Sequence, residues 1–257
     1  MAILNTKGLI LDSIDFRETS KICTFFSKDY GKIKGILKGA RSSPSKFKSN
    51  LDKFSLNHLV FYTSRNSQLH LVSQCDMIKD FSPSFDKILY LYAANLTLEL
   101  IDKIMPSEEK NEPIYELLLD TLEALRENDS MQRALVSFEL KVLSLSGFEP
   151  HINSCVSCFA SVDDEAYFST KLGGLLCKGC RGKDPLSDLV SGGLIATINY
   201  ILNSSVSAIS RLKINKAVAD KLQQILSSFL VFHAQIDPKL FRIPGNLMEK
   251  SSEIGNV

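Results

Sequence analysis

The sequence predicts an α+β protein of more than one domain: a small N-terminal β-barrel, then an α-helical domain with a four-cysteine metal-binding module inserted in it. Three observations lead there. Residues 1–80 read as short alternating strands joined by turns. Helical periodicity begins after residue 80. Four of the six cysteines fall in two pairs between 155 and 180. The length of 257 residues suits one large domain or two ordinary ones.

The strands come first. "TKGLILDSIDF" is apolar and β-branched, with Gly8 as a bulge or a point of close approach. "KICTFFSKDYGKIKGILKGAR" reads as a hairpin turning at "KDYG", where Gly31 can take a positive φ. After the turn, Lys32 and Lys34 form a charged face and Ile33, Ile36 and Leu37 a buried set, interrupted by Gly35. "FSLNHLVFYTS" and "SQLHLVSQCDMI" make a second hairpin around "SRNS". About five short strands, the first long enough to bend at a glycine, indicate a small barrel, with the OB-fold the leading candidate. Residues 40–50, "ARSSPSKFKSN", form a mobile basic loop between strands.

The helices follow. Phe85, Leu89, Tyr92, Leu96, Leu100 and Ile104 lie on one stripe closed by Pro106. Pro113 opens a second helix through Ile114, Leu118, Leu122 and Leu125. Ser130 caps a third, with Met131, Leu135, Phe138, Val142 and Leu145 on its stripe. Helices resume over 187–203 and 215–234, the last with Val218, Leu222, Ile225, Phe229 and Phe232 on one face. The expected boundaries are 1–80 for the barrel, 81–149 and 184–245 for the helical domain, 150–183 for the cysteine module, and 246–257 for a frayed tail.

"CVSC" and "CKGC" are separated by 18 residues. Two residues between cysteines let both thiolates reach one ion from a tight turn, and two such knuckles complete a tetrahedron. Cys155, Cys158, Cys177 and Cys180 are therefore the candidate ligands of a structural zinc ion. Four thiolates leave no position for water, which disfavours a catalytic metal. Redox CxxC chemistry would need one pair in a thioredoxin-like context. Gly173 and Gly174 let the intervening segment turn back, and Gly179 gives the second knuckle backbone freedom. His151 reads as a loop residue, and Cys23 and Cys75 as inert core thiols.

The net charge is +1, but between Lys21 and Lys53 nine basic residues stand against two acidic ones. That local +7 leaves −6 for the rest of the chain. Such asymmetry suits a polyanion-binding end, and charge alone does not separate that from a solvated face. Hydrophobic residues at 44% and charged residues at 23% are the balance of a soluble globular protein. No apolar run approaches ~18 residues, so no membrane span is expected. "MAILNTKGLILDSIDF" lacks the basic and apolar regions of a signal peptide, so a cytoplasmic place and metal ligation rather than disulfides are expected. No P-loop, G-x-G-x-x-G, H-E-x-x-H or G-x-S-x-G motif occurs, so no enzyme is indicated.

The order of a barrel containing "FRETSKICTFFSKDYGKIKGILKGAR", helices, "FELKVLSLSGFEP" and then the two cysteine pairs resembles the RecO family of bacterial DNA repair proteins. The resemblance runs over nearly the whole chain. It implies an N-terminal OB-fold, a helical C-terminal domain and, with all four cysteines present, the zinc-containing branch. It further implies a mediator of recombination that binds single- and double-stranded DNA and anneals complementary strands. It implies work with RecR, with the single-strand-binding protein SSB and, in many bacteria, with RecF, to load the RecA recombinase onto SSB-coated DNA. Arg17, Lys21, Lys32, Lys34, Lys38 and Arg41 fall in the stretches matching the family's basic barrel surface, with Lys46 and Lys48 in the variable loop. Phe16, Tyr30 and Phe47 are candidates to stack on bases; Phe25, Phe26, Phe54 and Phe61 are expected in the core. Arg211, Lys213 and Lys216 are a basic cluster that could receive the acidic C-terminal tail of SSB. The alternative reading is a zinc-ribbon adaptor that binds proteins and has no annealing role.

Overall fold

The computed structural model describes residues 2–42, 47, 49, 51–64, 67–82, 88–126, 131–162, 165–204, 209 and 212–241. The expectations placed on Lys46, Lys48, Phe85, Ser130, Arg211 and the 246–257 tail lie outside them. The chain divides into two compact units, 1–126 and 127–257.

In the first unit, β1 (Ile3–Phe16), β2 (Ser20–Ser27), β3 (Gly31–Leu37), β4 (Ser55–Tyr62) and β5 (Leu69–Asp80) close a barrel in the order β1-β2-β3-β5-β4. All pairings are antiparallel except the seam between β3 and β5. This is the strand order of an OB-fold. β1 serves two neighbours: Ile3–Leu9 pair with β4, and Gly8–Phe16 pair with β2. A bulge lies between Ile10 and Asp12 rather than at Gly8. Gly8 is instead a close approach, since a Cβ there would lie 2.9 Å from Leu59 Cδ1.

The interior is filled by Ile10, Cys23, Phe25, Ile33, Leu37, Leu59, Phe61 and Val72, joined by Phe47 and Leu51 from the connection between β3 and β4. Each such side chain contributes about 1.5–3 kcal/mol by leaving water. Phe47 is thus a core residue and not a stacking platform, and Tyr30 packs edge-on against Phe61 at 5.6 Å. Phe25, Phe26, Phe54 and Phe61 are buried as expected. Gly31 turns the β2–β3 hairpin at φ +63°, and a Cβ there would meet the Glu109 carbonyl oxygen at 1.9 Å. Only glycine satisfies both demands.

Helices α1 (Ile88–Ile104) and α2 (Glu112–Arg126) belong to the same unit. Phe26 on the outer wall meets Tyr115 of α2 at 6.3 Å between ring centroids. Glu108 N–H donates to the Lys32 carbonyl at 2.9 Å, and Glu108 faces the buried His70 Nε2 at 3.2 Å.

The second unit holds α3 (Met131–Leu145), α4 (Gly192–Asn203) and α5 (Lys216–His233). α3 packs on both other helices. Ser191 and Asn215 cap α4 and α5, accepting from Leu194 N–H and Ala217 N–H. Leu222, Ile225 and Phe229 of α5 are buried as its stripe requires, whereas Phe232 is exposed. Between α3 and α4 lies a three-stranded sheet in the order β7-β6-β8, with β6 (Glu165–Ser169), β7 (Gly174–Leu176) and β8 (Asp188–Ser191). Among the described residues no helix is long and apolar enough to cross a membrane.

Candidate nucleic-acid interface and metal centre

On β3 the inward positions are Ile33, Gly35 and Leu37, and the outward ones Lys32, Lys34 and Ile36. Gly35 does not disturb this alternation. It is an inward position where Val72 presses so closely that a Cβ would lie 2.4 Å from Val72 Cγ2. Ile36, expected in the buried set, shares the lysine face because the strand period is two.

The cations assigned to the barrel surface separate by their partners. Lys34 and Lys38 are exposed and have no ion pair among the described residues. Arg17 is exposed at the tip of the β1–β2 turn, in the left-handed region at φ +54°, with its guanidinium 5.1 Å from the Phe16 ring centroid. Arg41 is a brace for that turn. It lies 3.3 Å from Asp15, and its Nη1 donates to the Arg17 carbonyl at 3.2 Å. Lys21 pairs with Asp52 at 3.5 Å and Lys53 with Asp12 at 3.3 Å. Lys32 is 12% exposed, pairs with Asp102 of α1 at 3.4 Å and donates to the Asp102 carbonyl. Lys28 is held between Glu112 at 3.2 Å and Glu116 at 2.8 Å, which raise its pKa. The local excess of positive charge is thus largely answered by acids of α1, α2 and neighbouring strands. Among the described residues of this set, Arg17, Lys34 and Lys38 have no ion pair.

Beside these lies a feature that no sequence pattern announces. Ile14 stands opposite Ile22, Ile22 opposite Ile36, and Ile36 opposite Leu71. The four form an apolar row across four neighbouring strands on the outer wall, with Ile14 54% and Leu71 37% exposed. The signal in the sequence is a set of outward-facing isoleucines, but only the register puts them side by side.

The four candidate ligands come together in the second unit. Their sulfur atoms all lie within 4.8 Å of one another, with Cys158 and Cys177 at 3.7 Å. A tetrahedron with metal–sulfur bonds of about 2.3 Å has sulfur–sulfur edges of about 3.8 Å, so the cluster could hold a metal ion. Two turns build it. Phe159 N–H donates to the Cys155 carbonyl, and Cys180 N–H to the Cys177 carbonyl, both at 2.9 Å. Cys177 precedes a short 3-10 helix, Lys178–Lys183. Gly173 turns the chain between β6 and β7 at φ +80°, and at Gly174 a Cβ would sit 2.3 Å from the His151 carbonyl oxygen. Gly179 has no positive φ; the second knuckle does not use its freedom. His151 lies outside the cluster, its Nε2 2.8 Å from Ser154 Oγ.

The thiols differ in electrostatics. Burial pushes Cys155 up, but backbone N–H groups of Cys177, Cys158 and Ser157 outweigh it and hold the group below the ordinary thiol value. Hydrogen bonding with the Cys158 and Cys177 thiols holds Cys180 above it. In the barrel core, burial pushes Cys23 up to about 11 and Cys75 up to about 12, as befits inert thiols. A thiol whose surroundings favour the thiolate, with three more sulfurs beside it, could hold a metal ion.

Fold and site define a class: an OB-fold protein with a four-cysteine module in its helical part. The comparisons sharpen it. Residues 1–81 match the family described as Recombination protein O N terminal, and residues 86–240 match Recombination protein O C terminal. The DNA repair protein RecO of Alkaliphilus metalliredigens is 29% identical over 253 residues, covering 98% of this chain and 100% of that protein. That of Caldanaerobacter subterraneus is 27% identical over 241 residues, covering 93% and 96%. The RecO protein of Acetivibrio thermocellus is 27% identical over 232 residues, covering 90% and 91%. The chain belongs to the RecO family, whose role is DNA repair by recombination.

Proposed function

We propose that the protein is a recombination mediator that binds single- and double-stranded DNA, anneals complementary strands and helps to load RecA onto SSB-coated DNA. On this reading residues 1–80 bind nucleic acid, 81–149 and 184–245 form the helical domain, and 150–183 are the metal module. RecR, the C-terminal tail of SSB and RecF are the protein partners, and the work is done in the cytoplasm, at the nucleoid. The chain catalyses no covalent step.

The observation that carries the reading is the pair Lys34 and Lys38, exposed and without an acidic partner among the described residues. Two single strands repel each other, and pairing them is downhill once their charge is neutralised and they are held close. Free cations on a rigid wall do this by displacing condensed counterions, which needs no nucleotide. The Phe16–Arg17 pair at the turn offers a face on which a base can stack without being read. Cys155, Cys158, Cys177 and Cys180 would hold zinc, which supplies a closed crosslink between the two knuckles when bound. The test is strand annealing with SSB-coated complementary oligonucleotides and no ATP. Faster pairing is expected, and an unchanged rate ends the reading.

A second reading, the adaptor with no annealing role, is favoured by the row Ile14, Ile22, Ile36 and Leu71, an apolar strip suited to a protein surface. Under it, Ile22→Ser with Ile36→Ser abolishes capture of RecR and leaves oligonucleotide binding untouched.

A further inference from the structure

We propose that the cysteine module carries a second contact for single-stranded nucleic acid, made by Tyr167, Arg181 and Lys178. The inference rests on the reading of the protein as DNA-binding and adds a place that this reading does not use.

The 3-10 helix carries Lys178, Arg181 and Lys183, all exposed. Side chains three apart on a 3-10 helix eclipse one another. That repeat sets Lys178 beside Arg181, and Lys183 in line with the ligand Cys180. The Arg181 guanidinium lies over the Tyr167 ring, 4.6 Å from its centroid. Tyr167 is half-buried between the buried Ala166 and Phe168, on the opposite face of β6 from both. Across the β6–β8 pairing it stands opposite Leu189, which is 56% exposed.

Two of the acids nearby are engaged, while Glu165, exposed on the same face of β6 as Tyr167, has no ion pair among the described residues. Asp184 accepts from Ser169 Oγ at 2.5 Å and from Leu186 N–H at 3.2 Å, and Asp188 pairs with Lys221. None of Lys178, Arg181 and Lys183 has an ion pair among the described residues. Lys21, Lys28, Lys32, Arg41 and Lys53 of the barrel, by contrast, are paired. A planar cation stacked on a tyrosine, with an apolar neighbour and a flanking lysine, is suited to an unpaired base and its phosphate. A duplex hides its base faces, so an unpaired strand suits the stack better, and a protein occupant would leave oligonucleotide binding unchanged in the variants below. The rival use of these cations is to balance the thiolates, since Lys178 and Arg181 directly follow Cys177 and Cys180, and metal retention in the variants separates the two uses.

The experiment uses the full chain with its metal content measured. Labelled oligothymidylate and an abasic strand of equal length are titrated across a range of salt, with the unaltered protein, with Lys178→Gln/Arg181→Gln, with Tyr167→Leu, and with Lys34→Ala/Lys38→Ala. The Lys178/Arg181 variant is expected to keep its metal and to lower the slope of log K against log salt by about 1.4, at roughly 0.7 per single-strand phosphate contact. Tyr167→Leu should weaken oligothymidylate about fivefold and spare the abasic strand. Unchanged affinity and slope with metal retained overturn the proposal. So does loss of metal with unchanged oligonucleotide binding, which gives the cations to the thiolates. Should the double variant not fold, Arg181→Lys keeps the charge and loses the planar stack; parity with the unaltered protein for oligothymidylate then overturns it. If the unaltered protein binds no oligonucleotide, the DNA-binding reading falls as well. An effect from the barrel variant with none from the module variants removes this proposal alone.

Discussion

Gln223 on α5 donates its side-chain amide to both carboxylate oxygens of Glu139 on α3, at 2.9 Å to each, and Glu139 is fully buried between the two helices. Burial pushes its pKa up to about 8, and the Gln223 hydrogen bonds offset only part of that. The folded state therefore holds a proton on Glu139 that the unfolded chain gives up above the ordinary carboxylate value of about 4.3.

From this follows a pH dependence of opposite sign to that of a salt-bridged acid. Between the unfolded value and about 8 the folded state binds more protons, so stability falls as pH rises through that window and levels off above it. Glu139→Gln keeps a carbonyl to accept from Gln223 and removes the ionisation. It should raise the melting temperature more at pH 8 than at pH 5, by at least ~2–4 °C, the shift expected per kcal/mol in a chain of this size. Calorimetry at the two pH values checks this, and equal shifts at both would contradict it.

Removing one thiol should act on stability. Cys177→Ala is expected to lose its metal and to lower the melting temperature by roughly 5–10 °C, since metal binding to such a module is folding energy. Elemental analysis beside calorimetry reads both, and a variant that kept metal and melting temperature would refute a structural role.

Lys34 and Lys32 sit two residues apart on one strand and should behave differently. Lys34→Ala with Lys38→Ala is expected to lower the salt slope of single-strand binding by about 1.4. Lys32→Ala should leave the slope alone and cost ~0.5–1 kcal/mol of stability, because it removes the partner of Asp102, whose carboxylate still reaches solvent. Salt titrations and urea melts of both variants give the comparison, and equal effects on the slope would be the failing result.

Val72 fills the space that Gly35 leaves open. Gly35→Ala should destabilise the barrel by ~1–3 kcal/mol through overpacking. Adding Val72→Ala should recover part of that loss, making the double variant more stable than the sum of the single costs. Strict additivity in a double-mutant cycle would contradict the contact.

Local features of the fold and of the metal site are legible in the sequence. A two-residue period and a "KDYG" turn mark β2 and β3, and the cysteine spacing marks a metal site, because both are properties of short stretches of chain. Partners distant in sequence are not legible. The nine cations between Lys21 and Lys53 suggest a broad basic surface. Yet Lys28 and Lys32 are answered by Glu112, Glu116 and Asp102, brought near by α1 and α2. Phe47 reads as a base-stacking residue beside lysines, and only barrel closure shows the interior it fills. Ile14, Ile22, Ile36 and Leu71 come from four strands, and no window along the chain holds them together.

The parallel seam of the barrel has a consequence for synthesis. β3 ends at Leu37, and its partner in the wall begins at Leu69. A nascent chain that has emerged through Tyr62 holds four strands and still has an open edge on β3, the strand that bears Lys34. Closure waits for β5, so throughout that interval the growing barrel presents unpaired backbone to whatever strand it meets. Outward lysines on that edge, Lys32 and Lys34, are the kind of charge that discourages such encounters while the barrel is unfinished.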